Sequence, residues 1–281
     1  MAMVLMAAVM WGTTGTARAL APADAAPLAV GAVRIAIGGA VLVLIALARG
    51  TLFSRRWPIF PATVTAVAVA IYQLAFFEGV ARAGVAVGTI LAIGSSPAFA
   101  GVLAWALLRE RPTGRWLVAT SVAVLGLVLL VLPNGAAPVS PLAIVLPLIA
   151  GCGYAIYATA TKRLLSLGDN VAVAAIAFGG GAVLLVPVLF LSDLRWLAEP
   201  RGVAVSLELG LVATALAYIL FTRALTRLPV SWGATLSLAE PLTASLLGML
   251  VLGESLEPVQ LAGALLVAAG LVVLATAPTA S

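Results

Sequence analysis

The chain has 281 residues, of which 63% are hydrophobic and only 9% charged, and its mean hydropathy is +1.21. A soluble domain carries roughly 25% charged residues, so this composition excludes a soluble fold and indicates an integral membrane protein. With one cysteine and no histidine, the chain has neither an intramolecular disulfide nor the usual Cys/His zinc site, and we expect no metal and no cofactor.

Each membrane crossing requires roughly 20 apolar residues. The predicted spans are 2–20, 27–48, 58–80, 84–108, 115–132, 141–163, 170–191, 201–224, 230–252 and 257–276. The first span is similar to a signal peptide but lacks a positively charged start, so we interpret it as a membrane helix. The predicted fold class is therefore an all-α integral membrane protein with ten transmembrane helices.

Lysine and arginine are distributed unevenly between the two sets of connections. One set carries ten of them and the other carries four. The ten are Arg49, Arg55, Arg56, Arg109, Arg111, Arg115, Lys162, Arg163, Arg223 and Arg227. This asymmetry predicts that both termini are cytoplasmic, and it explains the net charge of +5 without nucleic-acid binding. Three tryptophans at span ends, Trp57, Trp116 and Trp196, are typical of an aromatic belt.

An internal repeat occurs at an offset of 144 residues. The matching pairs are Phe77 with Phe221, Pro97 with Pro241, Glu110 with Glu254, and Gly126 with Gly270. The repeat predicts two five-helix halves, 1–134 and 135–281, joined near 133–141. Because five is odd, the second half enters the membrane inverted. Inverted repeats are typical of alternating-access transporters, with the site near the midplane, although some channels also have them.

The residues at 220–276 resemble the C-terminal half of EamA-type drug/metabolite transporters. The shared features are Glu240-Pro241 inside a helix, Leu-Gly-Glu at 252–254 and a glycine-rich last helix. The first half matches through Trp11-Gly12, Arg34 and Arg109-Glu110-Arg111. Within this superfamily, the Tyr72-Gln73 pair resembles YddG-type amino-acid exporters. The resemblance implies export of amino acids, aromatic ones included, across a bacterial inner membrane.

Polar and aromatic side chains inside the spans are candidates for a substrate site. All four tyrosines lie well inside spans, where their hydroxyls need partners or a hydrated cavity; hydrogen bonding between helices in a dry core is the alternative. Trp11, Thr14 and Arg18 share one helix face by spacing, and Trp11 either contacts substrate or packs in the core. The candidates are Trp11, Thr14, Tyr72, Gln73, Phe76, Ser95, Ser96, Tyr154, Tyr157, Tyr218, Ser237 and Glu240.

Glu240 is the charge nearest the middle of a span. An ionised residue there costs about 2.5–3.5 kcal/mol, so Glu240 must be protonated, paired or hydrated. Pro241 removes a backbone donor and predicts a helix break, as does its repeat partner Pro97. Glu240 then either stabilises the broken helix or acts in transport, by binding an ammonium group or exchanging a proton.

Arg34 and Glu208 each lie about seven residues from the non-cytoplasmic end of a span, and both side chains can extend to the interface. Glu78 lies near the same side, so an Arg34–Glu78 gate is one interpretation and interfacial anchoring is the other.

The leading functional hypothesis is a monomeric carrier that exports small metabolites, with a small-molecule substrate and the lipid bilayer as its partners. Carriage of another class, such as drugs or cations, nucleosides or sugar derivatives, is the alternative. A membrane-embedded enzyme requires a nucleophile with a base, a carboxylate pair or metal ligands, and the spans contain none of these sets.

Overall fold

The computed structural model describes residues 1–131, 140–253 and 255–276. The repeat residue Glu254 and most of the predicted linker at 133–141 lie outside the described residues. The helices are α1 (Ala2–Ala19), α2 (Pro27–Ala48), α3 (Ile59–Ala83), α4 (Val85–Leu103), α5 (Gly114–Leu130), α6 (Pro141–Leu165), α7 (Asn170–Leu191), α8 (Pro200–Leu225), α9 (Val230–Leu252) and α10 (Pro258–Ala275).

Two π-helices and one turn interrupt this helical pattern. A π-helix, Ala104–Leu108, continues α4, and a second one, Glu208–Leu216, forms the middle of α8. In α9, a turn at 237–238 separates Val230–Leu236 from Ala239–Leu252. A short 3₁₀-helix, Arg195–Ala198, precedes α8.

The chain folds as an all-helical, multi-pass membrane protein. Within the described ranges, eight helices are long and apolar enough to cross a membrane, and they are α2, α3, α4, α6, α7, α8, α9 and α10. Helix α5 is apolar but has 17 residues, and α1 carries three threonines and Arg18. Ten crossings in two halves of five therefore stay a prediction.

Helix starts follow the capping chemistry of the sequence. Proline occupies the first turn of α2, α6, α8 and α10, where a missing N–H costs nothing. The Asp169 carboxylate accepts hydrogen bonds from the Val171 and Ala172 amides at the start of α7. The Thr113 hydroxyl accepts the Trp116 amide hydrogen bond at the start of α5.

The helix packing stays nearly the same when α1–α5 are exchanged with α6–α10. Helix α2 packs on α7 and α5 on α10; α3 and α4 pack on α6, as α8 and α9 pack on α1. Gly126 and Gly270, which match in the repeat, both lie at the α5–α10 contact. A Cβ atom would lie 2.5 Å from Val267 N at Gly126 and 2.6 Å from Ala119 O at Gly270, so these glycines permit the close approach.

The aromatic-belt prediction is wrong for two of its three tryptophans. Trp116 is 4% exposed and Trp196 is 1% exposed, so both pack inside the protein rather than at its lipid surface. The indole N–H of Trp116 donates to Ser231 O at 3.1 Å and to Thr235 Oγ1 at 3.0 Å. Trp116 therefore joins α5 to α9.

Candidate functional site

A cavity of about 420 Å³ opens at one end of the helix bundle and extends to its middle. The opening lies beside Arg18, Pro27 and Gly84, which are at the α1–α2 and α3–α4 connections. We call this the mouth end. The deepest lining residues are Ser96, Ser237 and Glu240, close to the midpoints of α4 and α9. The cavity volume falls within the roughly 300–1,000 Å³ typical of small-molecule sites.

Most of the predicted substrate residues line this cavity. They are Trp11, Thr14, Tyr72, Phe76, Ser96, Tyr154, Tyr218, Ser237 and Glu240. Arg18 lines the cavity with Trp11 and Thr14, as the spacing along α1 predicts. The structure adds Phe77, Thr89 and Ile93 to the wall. The sequence does not distinguish these three residues, because apolar and hydroxyl side chains occur throughout the spans.

Aromatic rings form much of the cavity wall. The Trp11 and Tyr218 ring centroids are 5.0 Å apart, and Tyr72 stacks on Phe76 at 5.5 Å. The Tyr154 hydroxyl lies 3.0 Å from Ser237 Oγ, so it is paired across α6 and α9. The cavity is thus largely apolar, with hydroxyl groups at defined positions.

Three other predicted residues lie away from the main cavity. The Gln73 amide donates to Gly31 O at 3.0 Å and joins α3 to α2. The Ser95 hydroxyl donates within its own helix, to Ala92 O at 3.3 Å. Tyr157 is 3% exposed and, with Gln73, lines a separate void of about 10 Å³ behind the tyrosines, roughly the room that one water molecule needs.

Glu240 lies on the cavity wall in the first turn of Ala239–Leu252. The helix N-terminus provides a partial positive charge, which favours a carboxylate there. In the described part of the chain no lysine or arginine nitrogen lies within 4.0 Å of this carboxylate. An unpaired acid facing a cavity is available to bind a cation or a proton.

The two predicted helix-breaking prolines differ from each other. Pro97 lies inside α4, which continues unbroken from Val85 to Leu103. The prediction of a break there is wrong, because the Ser96 hydroxyl donates to Ile93 O at 2.8 Å and replaces the missing proline N–H. Pro241 follows the interruption of α9 at 237–238, and the Glu240 amide donates to Ser237 O at 2.9 Å.

The Arg34 guanidinium is on the cavity wall and 8% exposed. Its Nε donates to Thr214 Oγ1 at 3.2 Å and its Nη2 to Ala213 O at 3.3 Å. The π-helical stretch of α8 places both acceptors where Arg34 reaches them. Glu78 instead pairs with Arg82 at 2.6 Å on its own helix, so the structure does not bring the predicted Arg34–Glu78 gate together.

The other end of the bundle, which we call the closed end, is crossed by polar contacts that sequence reasoning missed. The Val230 amide donates to Glu110 Oε2 at 2.8 Å. Lys162 Nζ donates to Leu225 O at 2.5 Å and to Leu228 O at 2.6 Å, and lies 3.9 Å from Glu110 Oε1. These contacts link the α4–α5 connection, α6 and the α8–α9 connection.

Glu110 follows a strained residue. Arg109 has φ of +59°, while its repeat partner Gly253 has φ of +71°, and the left-handed region favours glycine. Burial raises the pKa of the Glu110 carboxyl, while the Val230 amide and Lys162 oppose that rise. The raised pKa indicates that the closed end stabilises the neutral form of the Glu110 carboxyl relative to its ionised form more than water does.

The family model of the EamA-like transporter family matches residues 1–132 and 141–276. The chain belongs to the EamA-like transporter family. It is therefore a membrane transporter and not an enzyme.

Relatives within the family cover most of the chain. It is 43% identical to the "Uncharacterized transporter YwfM" of Bacillus subtilis, over 98% of this chain and 93% of that protein. It is 34% identical to the "Threonine/homoserine exporter RhtA" of Escherichia coli, over 92% and 84%. A solved crystal structure shares the fold, with a TM-score of 0.80 and 21% identity over 98% of this chain and 95% of that one.

Proposed function

We propose that this protein exports small metabolites, most specifically amino acids including aromatic ones, by alternating access across the bacterial inner membrane. The observation that carries the proposal is the cavity that contains one carboxylate, Glu240, and the Arg34 guanidinium on a largely apolar and aromatic wall, with a second guanidinium, Arg18, at its mouth. The RhtA name, "Threonine/homoserine exporter", and the partial match to a "Probable terminal-alkyne amino-acid exporter" of Streptantibioticus cattleyicolor, 29% identical over 66% of this chain, support the same class.

A zwitterion fits these two charges. The substrate ammonium group pairs with Glu240, and the substrate carboxylate pairs with Arg34, whose Nε and Nη2 already bond to α8. Those bonds orient the guanidinium, so little side-chain freedom is lost on binding. Removing one partner of such a pair costs about 1.5–3 kcal/mol, because the other charge is left without compensation.

The remaining wall accommodates an apolar or hydroxylated side chain. Tyr72, Phe76 and Trp11 offer ring faces, and Ser96 and Ser237 offer hydroxyl groups. Aromatic substrates gain about 0.5–1.5 kcal/mol from ring pairing beyond area burial, while threonine-like substrates use the hydroxyls. The cavity lies within one chain, which supports a monomeric carrier.

Alternating access is supported by the difference between the two ends. The cavity is open at the mouth end and is separated from the other end by the contacts of Glu110 and Lys162. The positive-inside rule assigns the cation-rich closed end to the cytoplasm. This conformation is then outward-facing, the state in which an exporter releases substrate.

Counterflow in proteoliposomes tests the proposal. Vesicles loaded with unlabelled threonine, homoserine, phenylalanine or tryptophan should accumulate the labelled amino acid faster than protein-free vesicles do. E240Q and R34Q should each lower the rate about tenfold or more, because each leaves one substrate charge unpaired. The control D193N changes an exposed acid and should transport normally. Amino-acid movement no faster than leak overturns the assignment.

An organic cation is the second candidate, because an aromatic wall with a carboxylate is also suited to a lipophilic cation. Transport by R34Q in the same vesicles distinguishes an organic cation from a zwitterion as the substrate. A cation needs Glu240 alone, so R34Q should carry a cationic dye normally. A zwitterion needs both residues, and R34Q should then fail.

A further inference from the structure

Arg18 is the third charged side chain on the cavity wall, and the zwitterion binding proposed above does not use it. It lies in the last turn of α1 and lines the cavity at the mouth end, beside Pro27 and Gly84. In the part of the chain that the structure describes, the charged residues on this wall are Arg18, Arg34 and Glu240. A zwitterion matches Arg34 and Glu240, so one positive charge at the mouth is left without a counter-charge.

The Arg18 guanidinium is oriented by the protein but not neutralised. Its Nη1 donates to Ala25 O at 2.7 Å, and Ala25 is 1% exposed, so the acceptor belongs to a packed part of the α1–α2 connection. Within the described residues this carbonyl is the one acceptor that the guanidinium bonds, and a guanidinium has five N–H donors. Arg18 is therefore held in position with donors remaining for an anionic ligand.

The acids in the described ranges do not supply the counter-charge of Arg18. Among these residues no carboxylate oxygen lies within 4.0 Å of its guanidinium. Asp24 is exposed and does not line the cavity, and Glu78 forms an ion pair within its own helix. Glu208 accepts a hydrogen bond from the Thr13 hydroxyl of α1, so its predicted extension to the membrane interface does not occur. A substrate in the cavity can supply the counter-charge instead.

The contacts of α1 place Arg18 farther out than the inner pair, Arg34 and Glu240. A Cβ atom at Gly12 would lie 2.8 Å from Glu240 O, so Gly12 and Glu240 are at the same depth. Arg18 follows Gly12 by six residues, which is about 9 Å along the helix at 1.5 Å per residue. Arg34 lies seven residues into α2 from Pro27 at the mouth, about 10 Å below it by the same rise. A substrate whose α-ammonium and α-carboxylate occupy the inner pair therefore has Arg18 on its mouth side.

We propose that Arg18 is a specificity-determining residue, which binds a carboxylate on the substrate side chain and makes dicarboxylic amino acids such as glutamate the preferred substrates. This inference rests on the proposed function and narrows its substrate class. The α-groups of glutamate pair with Glu240 and Arg34, and its side chain extends toward the mouth, where the carboxylate accepts hydrogen bonds from Arg18. Such charge-assisted bonds are roughly twice as strong as bonds between neutral groups. Neutral amino acids match two of the three charges and are carried more slowly.

Glutamate and glutamine provide the test, because they differ by one charge at nearly the same shape. In counterflow at low substrate concentration, wild-type proteoliposomes should accumulate labelled glutamate about tenfold faster than labelled glutamine, since glutamine loses the charge-assisted bond. R18Q should bring this ratio close to one. R195Q removes an exposed arginine at the mouth end and should keep the wild-type ratio, so it controls for the overall positive charge of that end.

A wild-type ratio of one or less overturns the proposal, and so does a ratio in R18Q equal to that of the wild type. If R18Q does not fold, R18K decides: lysine retains the charge without the planar guanidinium, so its ratio should stay above one, and equal rates for the two amino acids overturn the role of the charge. If threonine and phenylalanine move while glutamate moves no faster than glutamine, this inference alone fails. If no amino acid moves faster than leak, the proposed function fails and this inference fails with it.

Discussion

The two ends of the bundle use their charged groups in different ways. At the mouth end the ion pairs are local: Glu78 pairs with Arg82 four residues away, and Asp193 pairs with Arg195, both substantially exposed. At the closed end, Glu110 and Lys162 are 52 residues apart in sequence and less than a quarter exposed. Exposed local pairs contribute about 0–1 kcal/mol, so in the proposed mechanism we assign the control of which end is open to the polar contacts at the closed end.

The largest effect is expected from removing Lys162, because its contacts hold the closed end together. K162M deletes two charge-assisted bonds, to Leu225 O and Leu228 O, that contribute about 1.5 kcal/mol or more each. We expect the closed end to open roughly a hundredfold more often, since 1.4 kcal/mol is a factor of ten. The measurement is the maleimide labelling rate of S231C, whose serine is 5% exposed, in a C152A background in nanodiscs. R195M is the matched control. A labelling rate of S231C that is unchanged in K162M would show that Lys162 does not keep this end closed.

Glu110 offers a finer test, because alanine and glutamine separate its two roles. E110A removes the acceptor of the Val230 amide at the start of α9, and loss of such a cap costs about 1 kcal/mol. The S231C labelling rate should rise about fivefold. E110Q retains a carbonyl acceptor and should label close to the wild-type rate. Equal labelling rates in E110A and E110Q would show that the charge of Glu110, and not its hydrogen bond with the Val230 amide, keeps this end closed.

A smaller effect should appear on changing the pH. Burial raises the pKa of Glu110 at the closed end, whereas an open, hydrated Glu110 returns to its ordinary value of about 4.3. The closed end therefore binds the proton more tightly, so its stability is greatest in acid and is lost as the pH rises through the raised value. Labelling of S231C, divided by the rate in E110Q to remove thiol ionisation, should rise over that window and then level off. A labelling ratio that falls as the pH rises would show that protonation of Glu110 favours the open end instead.

The smallest effect is expected at Arg109. R109G relieves the left-handed strain, about 1 kcal/mol, at the cost of a more flexible unfolded chain. We expect a gain of about 0.5 kcal/mol, seen as a rise of roughly 1–2 °C in the thermal midpoint. G253A is the opposite substitution at the repeat partner and should lower the midpoint. A lower midpoint in R109G would show that the arginine side chain contributes more than the strain costs.

The sequence predicted what depends on local periodicity and composition. The helix starts at Pro27, Pro141 and Pro258 agree with the predicted spans within a residue or two, because hydropathy and proline act locally. The face of α1 shared by Trp11 and Thr14 was also predictable, since helical spacing alone determines it.

What the sequence did not predict depends on tertiary contacts. The charge asymmetry of the connections indicates only a topological role for Lys162, yet its partners are backbone carbonyls more than 60 residues away. Depth in the membrane favours a pairing of Arg34 with Glu78, but in the structure the π-helix in α8 places Thr214 beside Arg34 instead. A π-helix has no distinctive composition, so hydropathy could indicate neither that segment nor the contact of Glu208 with Thr13.

The two π-helices also have a consequence for the proposed alternating access. In an inverted repeat the opposite conformation is obtained, to a first approximation, when the halves exchange shapes. Ala104–Leu108 matches residues 248–252, which are α-helical in this conformation, and Glu208–Leu216 matches 64–72 of α3, which are α-helical as well. An exchange of shapes would require two α-helical segments to rewind and two π-helices to tighten. On the proposed alternating-access mechanism, the inward-facing state therefore differs in energy from this one, and the empty carrier has a preferred resting side.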